Sequence, residues 1–215
     1  MYTVDPTFSV YSLIERIESH SMLLNHRRTM SMISFEIENA TLIDGAKSRI
    51  FAGFQYMSKF LPQVKRYERL AATAESVYVF GVQDVPPPAI PNVHYIPLAS
   101  TDRLAKEWFV IAHGTAYSSA LATEELSRFS DADDLRKFKG IWTFDMAIVA
   151  IMHDWLASLV DARPFTEAEK QHDFALQRTL IGRSYDRLNH KVGAMLQTAA
   201  TQREIVAAIQ SSTPR

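Results

Sequence analysis

Histidine, serine and carboxylate side chains are the groups in this 215-residue chain that could do chemistry. The seven histidines stand at positions 20, 26, 94, 113, 153, 172 and 190. No two of them are four residues apart, the spacing with which one helix presents two imidazoles to a zinc ion, and the sequence has no HExxH motif. Because cysteine is absent, disulfides, thiolate nucleophiles and cysteine-ligated metals are excluded. We therefore expect structural histidines and no metal site.

Serines and acids offer no recognisable catalytic motif either. Ser118 and Ser119, in the segment AYSSAL, lack the GxSxG elbow of serine hydrolases, and a half-exposed strand explains them better. Five acidic residues could act as general acid and base, namely Glu124, Glu125, Asp131, Asp133 and Asp134. So many acidic residues in one polar stretch are, however, typical of a solvated surface. The dispersed glycines form no phosphate-binding loop. A small hydrolase-like enzyme whose acids or serines converge only in three dimensions is therefore the alternative to a non-catalytic protein.

Charge and composition limit the classes of partner. Hydrophobic residues make up 47% of the chain, and 23 basic residues face 24 acidic ones. This balance gives no electrostatic footprint for nucleic acid or for a membrane surface. The longest apolar run, residues 146–160, contains His153 and Asp154 and is shorter than the roughly 20 residues of a membrane span. The N-terminus has no apolar signal region, so we expect a soluble, cytoplasmic protein.

The elements that must position any site alternate between strand and helix. Strands are predicted over residues 49–55, 76–82, 93–98, 108–114, 117–126 and 140–145, and helices over 8–17, 29–43, 62–74 and 145–160. Residues 19–28 read as a connector, and residues 130–139 as a polar loop. Pro97 places its strand near a sheet edge or at a strand end. The pattern predicts an α/β (α+β) protein with a mixed β-sheet flanked by helices.

The C-terminal segment is predicted to be helical. Thr166 and Glu169 form a capping-box pattern after Pro164. Apolar residues then stand at 174, 181, 185, 188, 192, 195 and 199, alternating by three and four from Ile181 onward, which is typical of a coiled coil. The predicted oligomer interface consists of Ile181, Tyr185, Leu188, Val192 and Met195. The alternative is a helix that packs on its own domain. We expect two units, residues 1–164 and the C-terminal helical extension 165–215.

Aromatic residues are concentrated in or beside the predicted strands. Alternation places Tyr78 and Phe80 on one face of their strand, and such a face is either core or the wall of a ligand pocket. Glu107 precedes Trp108 at the start of an otherwise apolar strand. Charged groups are rarely buried unless paired, so Glu107 is solvated, bonded to a neighbour such as Arg103, or in contact with a ligand.

Six segments occur in an order that resembles the DICT domain, a sensory module of bacterial signalling proteins. They are GFQYMSKF (53–60), RYERLAATAESVYVFGVQD (66–84), the proline loop (86–91), IPL (96–98), LAKEWFVIAHG (104–114) and IWTFD (141–145). The family takes its name from diguanylate cyclases and two-component systems and is common in cyanobacteria. The likeness covers roughly residues 8–160 and leaves the C-terminal helices outside.

The resemblance implies a non-catalytic sensory or adaptor role in signal transduction, with no cofactor. The expected partner is a kinase, a response regulator or a diguanylate cyclase, or a second copy of the chain in a homo-oligomer. Because no GGDEF, kinase or receiver segment follows, we expect the output to pass through a separate protein or through assembly. The candidate ligand-binding residues are Phe54, Gln55, Phe80, Glu107, Trp108 and Trp142.

Overall fold

A mixed β-sheet forms the centre of the molecule. A computed structural model describes residues 4–17, 23–127 and 135–211, and within them the sheet has seven strands in the order β1-β7-β6-β5-β2-β3-β4. The strands are β1 Leu23–His26, β2 Arg49–Tyr56, β3 Ser76–Val82, β4 Val93–Leu98, β5 Glu107–His113, β6 Ser118–Glu125 and β7 Lys137–Thr143. Strands β2, β3 and β4 run parallel to one another. The remaining neighbours pair antiparallel.

Helices cover both faces of the sheet. They are α1 Val10–Ile17, α2 Arg27–Leu42, α3 Met57–Phe60, α4 Val64–Thr73, α5 Met146–Leu159, α6 Glu167–Lys170 and α7 Phe174–Ser211, with 3₁₀ turns at Leu61–Gln63 and Arg103–Lys106. Helices α1 and α5 supply one hydrophobic core, the α1-side core. Helices α2 and α4 supply the other, the α2-side core, to which Leu180 of α7 also belongs. The α/β class with flanking helices is confirmed.

Strand alternation divides the apolar residues between these two cores. On β5, Phe109 and Ile111 lie in the α1-side core, whereas Val110 and Ala112 lie in the α2-side core. Successive strand residues point to opposite faces, so a strand buried on both faces reads as a continuous apolar run. This explains why the central strands were recognisable from the sequence.

Several predicted boundaries are confirmed by their caps. The Asp145 carboxylate accepts hydrogen bonds from the backbone N–H groups of Ala147 and Ile148, at 2.9 and 3.1 Å, and thereby starts α5. Ser9 caps α1 by accepting from the N–H of Ser12. The capping box of Thr166 and Glu169 is present, but the helix it starts ends at Lys170. Strand β4, which contains Pro97, lies at the edge of the sheet.

Two predictions about connecting segments were wrong. Residues 23–26 of the expected connector form β1, which pairs with β7, and α2 begins at Arg27. Residues 137–139 of the expected loop belong to β7, where Phe138 is fully buried. Both stretches are only three or four residues long, so they lack the alternation that reveals a longer strand. Asp131, Asp133 and Asp134 lie outside the described residues.

Candidate functional site

The sheet separates the six predicted ligand-binding residues into two groups. Phe80 is fully buried in the α1-side core, where its ring meets that of Phe109. Phe54, Trp108 and Trp142 pack against the α2-side core. A single site lined by Phe80 together with Trp108 and Trp142 is therefore not formed, because the sheet lies between them.

Glu107 points to the α1 side and caps helix α1. Its Oε1 accepts from the Ser9 hydroxyl at 2.5 Å, and its Oε2 accepts from the backbone N–H groups of Val10 and Tyr11 at 3.0 and 3.2 Å. Arg103 donates instead to Ser12. Burial raises the pKa of Glu107 to about 7, and these hydrogen bonds offset the effect only in part. Of the three expected roles (solvated, bonded to a neighbour, or in contact with a ligand), Glu107 has the second. Its hydrogen-bond partners are Ser9 and the first residues of α1 rather than Arg103.

Trp108 points to the opposite face, into a cavity of about 80 Å³ between α2 and the sheet. We call it the Trp108 cavity. Phe35, Phe54 and Trp108 supply its aromatic surface, and the Trp108 indole N–H donates to the Ser34 hydroxyl at 3.0 Å. Trp142 is absent from the lining and donates to Ser119. The structure thus brings Phe54, Gln55 and Trp108 together and leaves the other three predicted residues elsewhere.

A buried polar network forms one wall of the Trp108 cavity. Gln55 Oε1 accepts from Arg136 at 2.7 Å, and Gln55 Nε2 donates to Glu125 at 2.9 Å. Arg136 also donates twice to the Glu125 carboxylate, at 2.6 and 2.7 Å. Burial pushes the pKa of Glu125 up, but the hydrogen bonds from Arg136, Gln55 and Ser127 outweigh it, and the net pKa is lowered. Arg136 was missed because it is 81 residues from Gln55 in the chain.

Gln55 has an unusual backbone conformation. Its φ of 62° lies in the left-handed region, which is uncommon for a residue with a side chain. The pairing of β2 with β3 shifts register between Gly53 and Tyr56. Such bulges redirect side chains at the ends of strands. Here the bulge accompanies the turning of Gln55 toward Arg136, a role that the FQ dipeptide alone did not reveal.

Helix α2 connects the Trp108 cavity to α7. Ser31, Ser34 and Phe35 of α2 line the cavity. On another face of the same helix, the fully buried Glu36 accepts from Arg187 at 2.6 Å and from Lys191 at 2.5 Å. Burial acts to raise the pKa of Glu36, but hydrogen bonds from the two cations lower it overall. We call this contact the Glu36 clamp.

Helix α7 packs on its own domain through a stripe that sequence analysis did not select. The inner stripe consists of Gln177, Leu180, Ser184, Arg187 and Lys191. Gln177 pairs with both backbone groups of Ser118 at 2.8 Å. The stripe is also spaced by three and four, but it is mostly polar, so hydrophobic periodicity could not identify it.

The predicted oligomer interface lies beside the inner stripe. Tyr185 and Val192 are 60% and 43% exposed. Ile181, Leu188 and Met195 are half-buried. We call these five residues the outer stripe. The expectation that α7 packs on its own domain therefore holds for the inner stripe, and self-association through the outer stripe stays a prediction.

A larger cavity, of about 620 Å³, lies at the other end of β2. We call it the His153 cavity. Arg49 at the start of β2, His113 at the end of β5 and His153 of α5 line it together with Phe165. The rings of His113 and His153 are 4.9 Å apart, and the His153 ring stacks on Phe165 at 4.6 Å. Each histidine is isolated in the sequence, so no spacing indicated that they would meet.

The groups in the His153 cavity are arranged unlike a hydrolase or a metal centre. His113 Nδ1 is 2.7 Å from the Ser118 hydroxyl, but Ser118 is fully buried and beyond the reach of a substrate. Burial, followed by the charge of His153, lowers the pKa of His113 to about 4. Burial also lowers the pKa of His153. No group of three metal-binding side chains occurs among the described residues.

The comparison with known families covers the part of the chain from α1 to β6. A family model described as DICT, the sensory domain in diguanylate cyclases and two-component systems, matches residues 7–126, more than half of the chain. The chain belongs to the DICT family. The matched part of this DICT chain contains Phe54, Gln55 and Trp108, whereas Arg136, α5 and α7 lie beyond it.

Other comparisons add little to the family assignment. The chain is similar to the crystal structure of polyphosphate kinase from Porphyromonas gingivalis, with a TM-score of 0.37 and 14% sequence identity. The match covers 82% of the DICT chain and 32% of the kinase chain. No curated protein matches. Within the described residues, no helix is long and apolar enough to cross a membrane.

Proposed function

We propose that this DICT chain is a non-catalytic sensory adaptor that binds a small ligand in the Trp108 cavity and relays binding through α2 to α7. The position of α2 is the observation that supports this proposal best. One face of α2 lines the aromatic cavity, and Glu36 on the same helix holds α7. A ligand that displaces α2 therefore acts on the Glu36 clamp.

The size of the cavity gives the relay its physical basis. A cavity of about 80 Å³ holds a few water molecules or a ligand of a few heavy atoms. A larger ligand that is buried between α2 and the sheet must move α2 outward. A ligand shifts a conformational equilibrium only by its difference in affinity for the two states. Binding that requires an outward α2 favours the state in which the clamp is weakened.

In this proposal residues 1–164 sense the ligand, and residues 165–215 pass the signal to a partner. The outer stripe, with Tyr185 and Val192 exposed, supplies an apolar surface for a signalling partner or for a second copy of the chain. A kinase, a response regulator or a diguanylate cyclase is the class of partner that we propose. The buried position of Ser118 and the pairing of Glu125 with Arg136 support a non-catalytic role.

The relay can be tested by filling the cavity without a ligand. Ser31→Trp places in the Trp108 cavity a ring that is larger than the few heavy atoms the cavity holds, and Arg28→Trp is the matched control on the exposed side of α2. We expect Ser31→Trp to increase hydrogen exchange of the α7 amides between Phe174 and Met195 severalfold, and Arg28→Trp to leave it unchanged. Unchanged exchange in a Ser31→Trp protein whose added indole is shielded from solvent would refute the relay.

A further inference from the structure

His153 is a buried imidazole with a proton on one nitrogen and no partner for the other. Its side chain is 1% exposed, and Nδ1 lies 2.8 Å from an Asp154 carboxylate oxygen. Because a carboxylate only accepts, Nδ1 carries the proton in the neutral ring, and Nε2 carries the lone pair. Nε2 is buried and has no hydrogen-bond partner among the described residues. A proton added at Nε2 would therefore create a buried N–H group without an acceptor.

Phe165 covers this imidazole. The two rings stack with their centroids 4.6 Å apart, and Phe165 is itself buried. Phe165 belongs to residues 162–166, which lie between α5 and α6 and form neither helix nor strand. We call them the Phe165 segment. The Arg49 guanidinium lies over the Phe165 ring at 4.5 Å, and it donates to the Arg163 carbonyl at 2.9 Å. The segment is thus held against a cation and a neutral imidazole.

The carboxylates near His153 are already paired or exposed to water. Glu75 Oε1 accepts from both Arg49 and Arg163, at 2.7 and 3.1 Å. Asp154 is 76% exposed, so water screens its charge. The titratable and charged groups that face this cluster are Arg49 of β2, Glu75 beyond α4, His113 of β5, Asp154 of α5, and Arg163, Glu169, Lys170 and His172 of the C-terminal part. Among the described residues, a protonated His153 would have no buried carboxylate of its own.

The neutral form of His153 is accordingly favoured while Phe165 covers it. Burial lowers the pKa of His153, the hydrogen bond to Asp154 opposes this effect, and the positive charge of Arg49 adds to it, so that the net pKa lies below its ordinary value. Burial lowers the pKa of His113 further, to about 4. As the pH falls, His153 is therefore the first of these two imidazoles to take up a proton.

We propose that His153 and the Phe165 segment form a latch that acid opens. In the closed state an added proton is buried near Arg49 without an acceptor, whereas in the open state water hydrates the imidazolium. Acid therefore favours the open state by the difference in proton affinity between the two states. The Phe165 segment leads into α6 and α7, so its release loosens the chain just before the C-terminal helices. The latch is separate from the Trp108 cavity and requires no ligand there.

The pKa of His153, measured by NMR of the ¹⁵N-histidine-labelled full chain, tests the latch through reciprocity. If the closed segment weakens proton binding at His153, removal of the covering ring must strengthen it. We expect Phe165→Ala to raise the His153 pKa toward the ordinary value of about 6.5. Phe174→Ala removes an exposed ring that contacts His172 instead, and it should leave the His153 pKa unchanged. No rise in Phe165→Ala, or an equal rise in Phe174→Ala, would overturn the proposal.

Opening itself is measured by hydrogen exchange of residues 160–166 in the wild type and in His153→Phe, which keeps a ring against Phe165 but takes up no proton. This stretch is identical in the two proteins, so its intrinsic exchange rate cancels when they are compared at one pH. We expect the ratio of wild-type to variant exchange to rise severalfold between pH 7.5 and 5.5, up to about tenfold for an open-state pKa of about 6.5. The control is His94→Phe, at an exposed histidine that stacks on Tyr78, and its ratio should stay constant. A constant ratio for His153→Phe, or an equal rise for His94→Phe, would overturn the latch.

Discussion

The two cavities differ in how their buried polar groups are satisfied. In the Trp108 cavity, Gln55, Arg136 and Glu125 bond to one another and Trp108 bonds to Ser34. In the His153 cavity, one imidazole nitrogen of His153 and one guanidinium nitrogen of Arg49 are buried without partners. Satisfied networks rigidify a fold, whereas unsatisfied groups lower its stability. We infer that the first set of polar groups contributes more to stability than the second.

The largest effect is expected at the satisfied network. Arg136→Met removes the cation and leaves the buried Glu125 without its charge partner. Breaking a buried pair in this way costs about 3–5 kcal/mol, which urea unfolding would measure. Arg163→Met, at an exposed cation that pairs with Glu75 and Glu169, is the control and should change stability much less. Equal losses in the two variants would show that the buried network contributes no more to stability than an exposed ion pair does.

A second effect concerns Glu107, the buried carboxylate that belongs to neither cavity. Its folded pKa of about 7 lies above the usual 4.5, so the folded state binds the proton more tightly than the unfolded state. Stability from this group is therefore present below pH 4.5 and is lost as the pH rises through about 7, by at most about 3 kcal/mol. Glu107→Gln should flatten the stability profile over this interval. An unchanged profile would show that burial does not raise the Glu107 pKa.

The smallest effect on stability is expected in the His153 cavity. His153→Phe should change the free energy of unfolding by no more than about 1 kcal/mol, because Nε2 has no partner to lose and Asp154 is exposed. The lowered pKa of His153 means that the wild type loses stability as the pH falls below 6.5. The variant should lose less over that range. A loss as large as that of Arg136→Met would show that His153 is needed for the fold itself.

The sequence predicted the sheet better than it predicted the site. Continuous apolar runs and capping residues such as Asp145 and Ser9 are local signals, and they located most strands and helices. The site depends on contacts between distant positions. Gln55 contacts Arg136, and Glu36 contacts Arg187. The residues of each pair are too far apart in the chain for a local sequence pattern to indicate the contact.

The two faces of strand β5 explain why Glu107 and Trp108 do not form one site. Trp108 and Glu107 are adjacent in the sequence, and adjacency suggested one polar–aromatic site. On a strand the same adjacency sends the two side chains to opposite cores. The inner stripe of α7 was missed because most of its contacts are polar, among them those of Arg187 and Lys191 with the carboxylate of Glu36.

The central claim is that α2 transmits a change in the Trp108 cavity to α7 through the Glu36 clamp, and a double-mutant cycle tests it most directly. Hydrogen exchange of the α7 amides would be measured in the wild type, Ser31→Trp, Glu36→Gln and the double variant. The account predicts that Ser31→Trp increases exchange in the wild-type background and has little further effect once Glu36→Gln has weakened the clamp. An equal increase in both backgrounds would contradict the claim, because the signal would then reach α7 without Glu36.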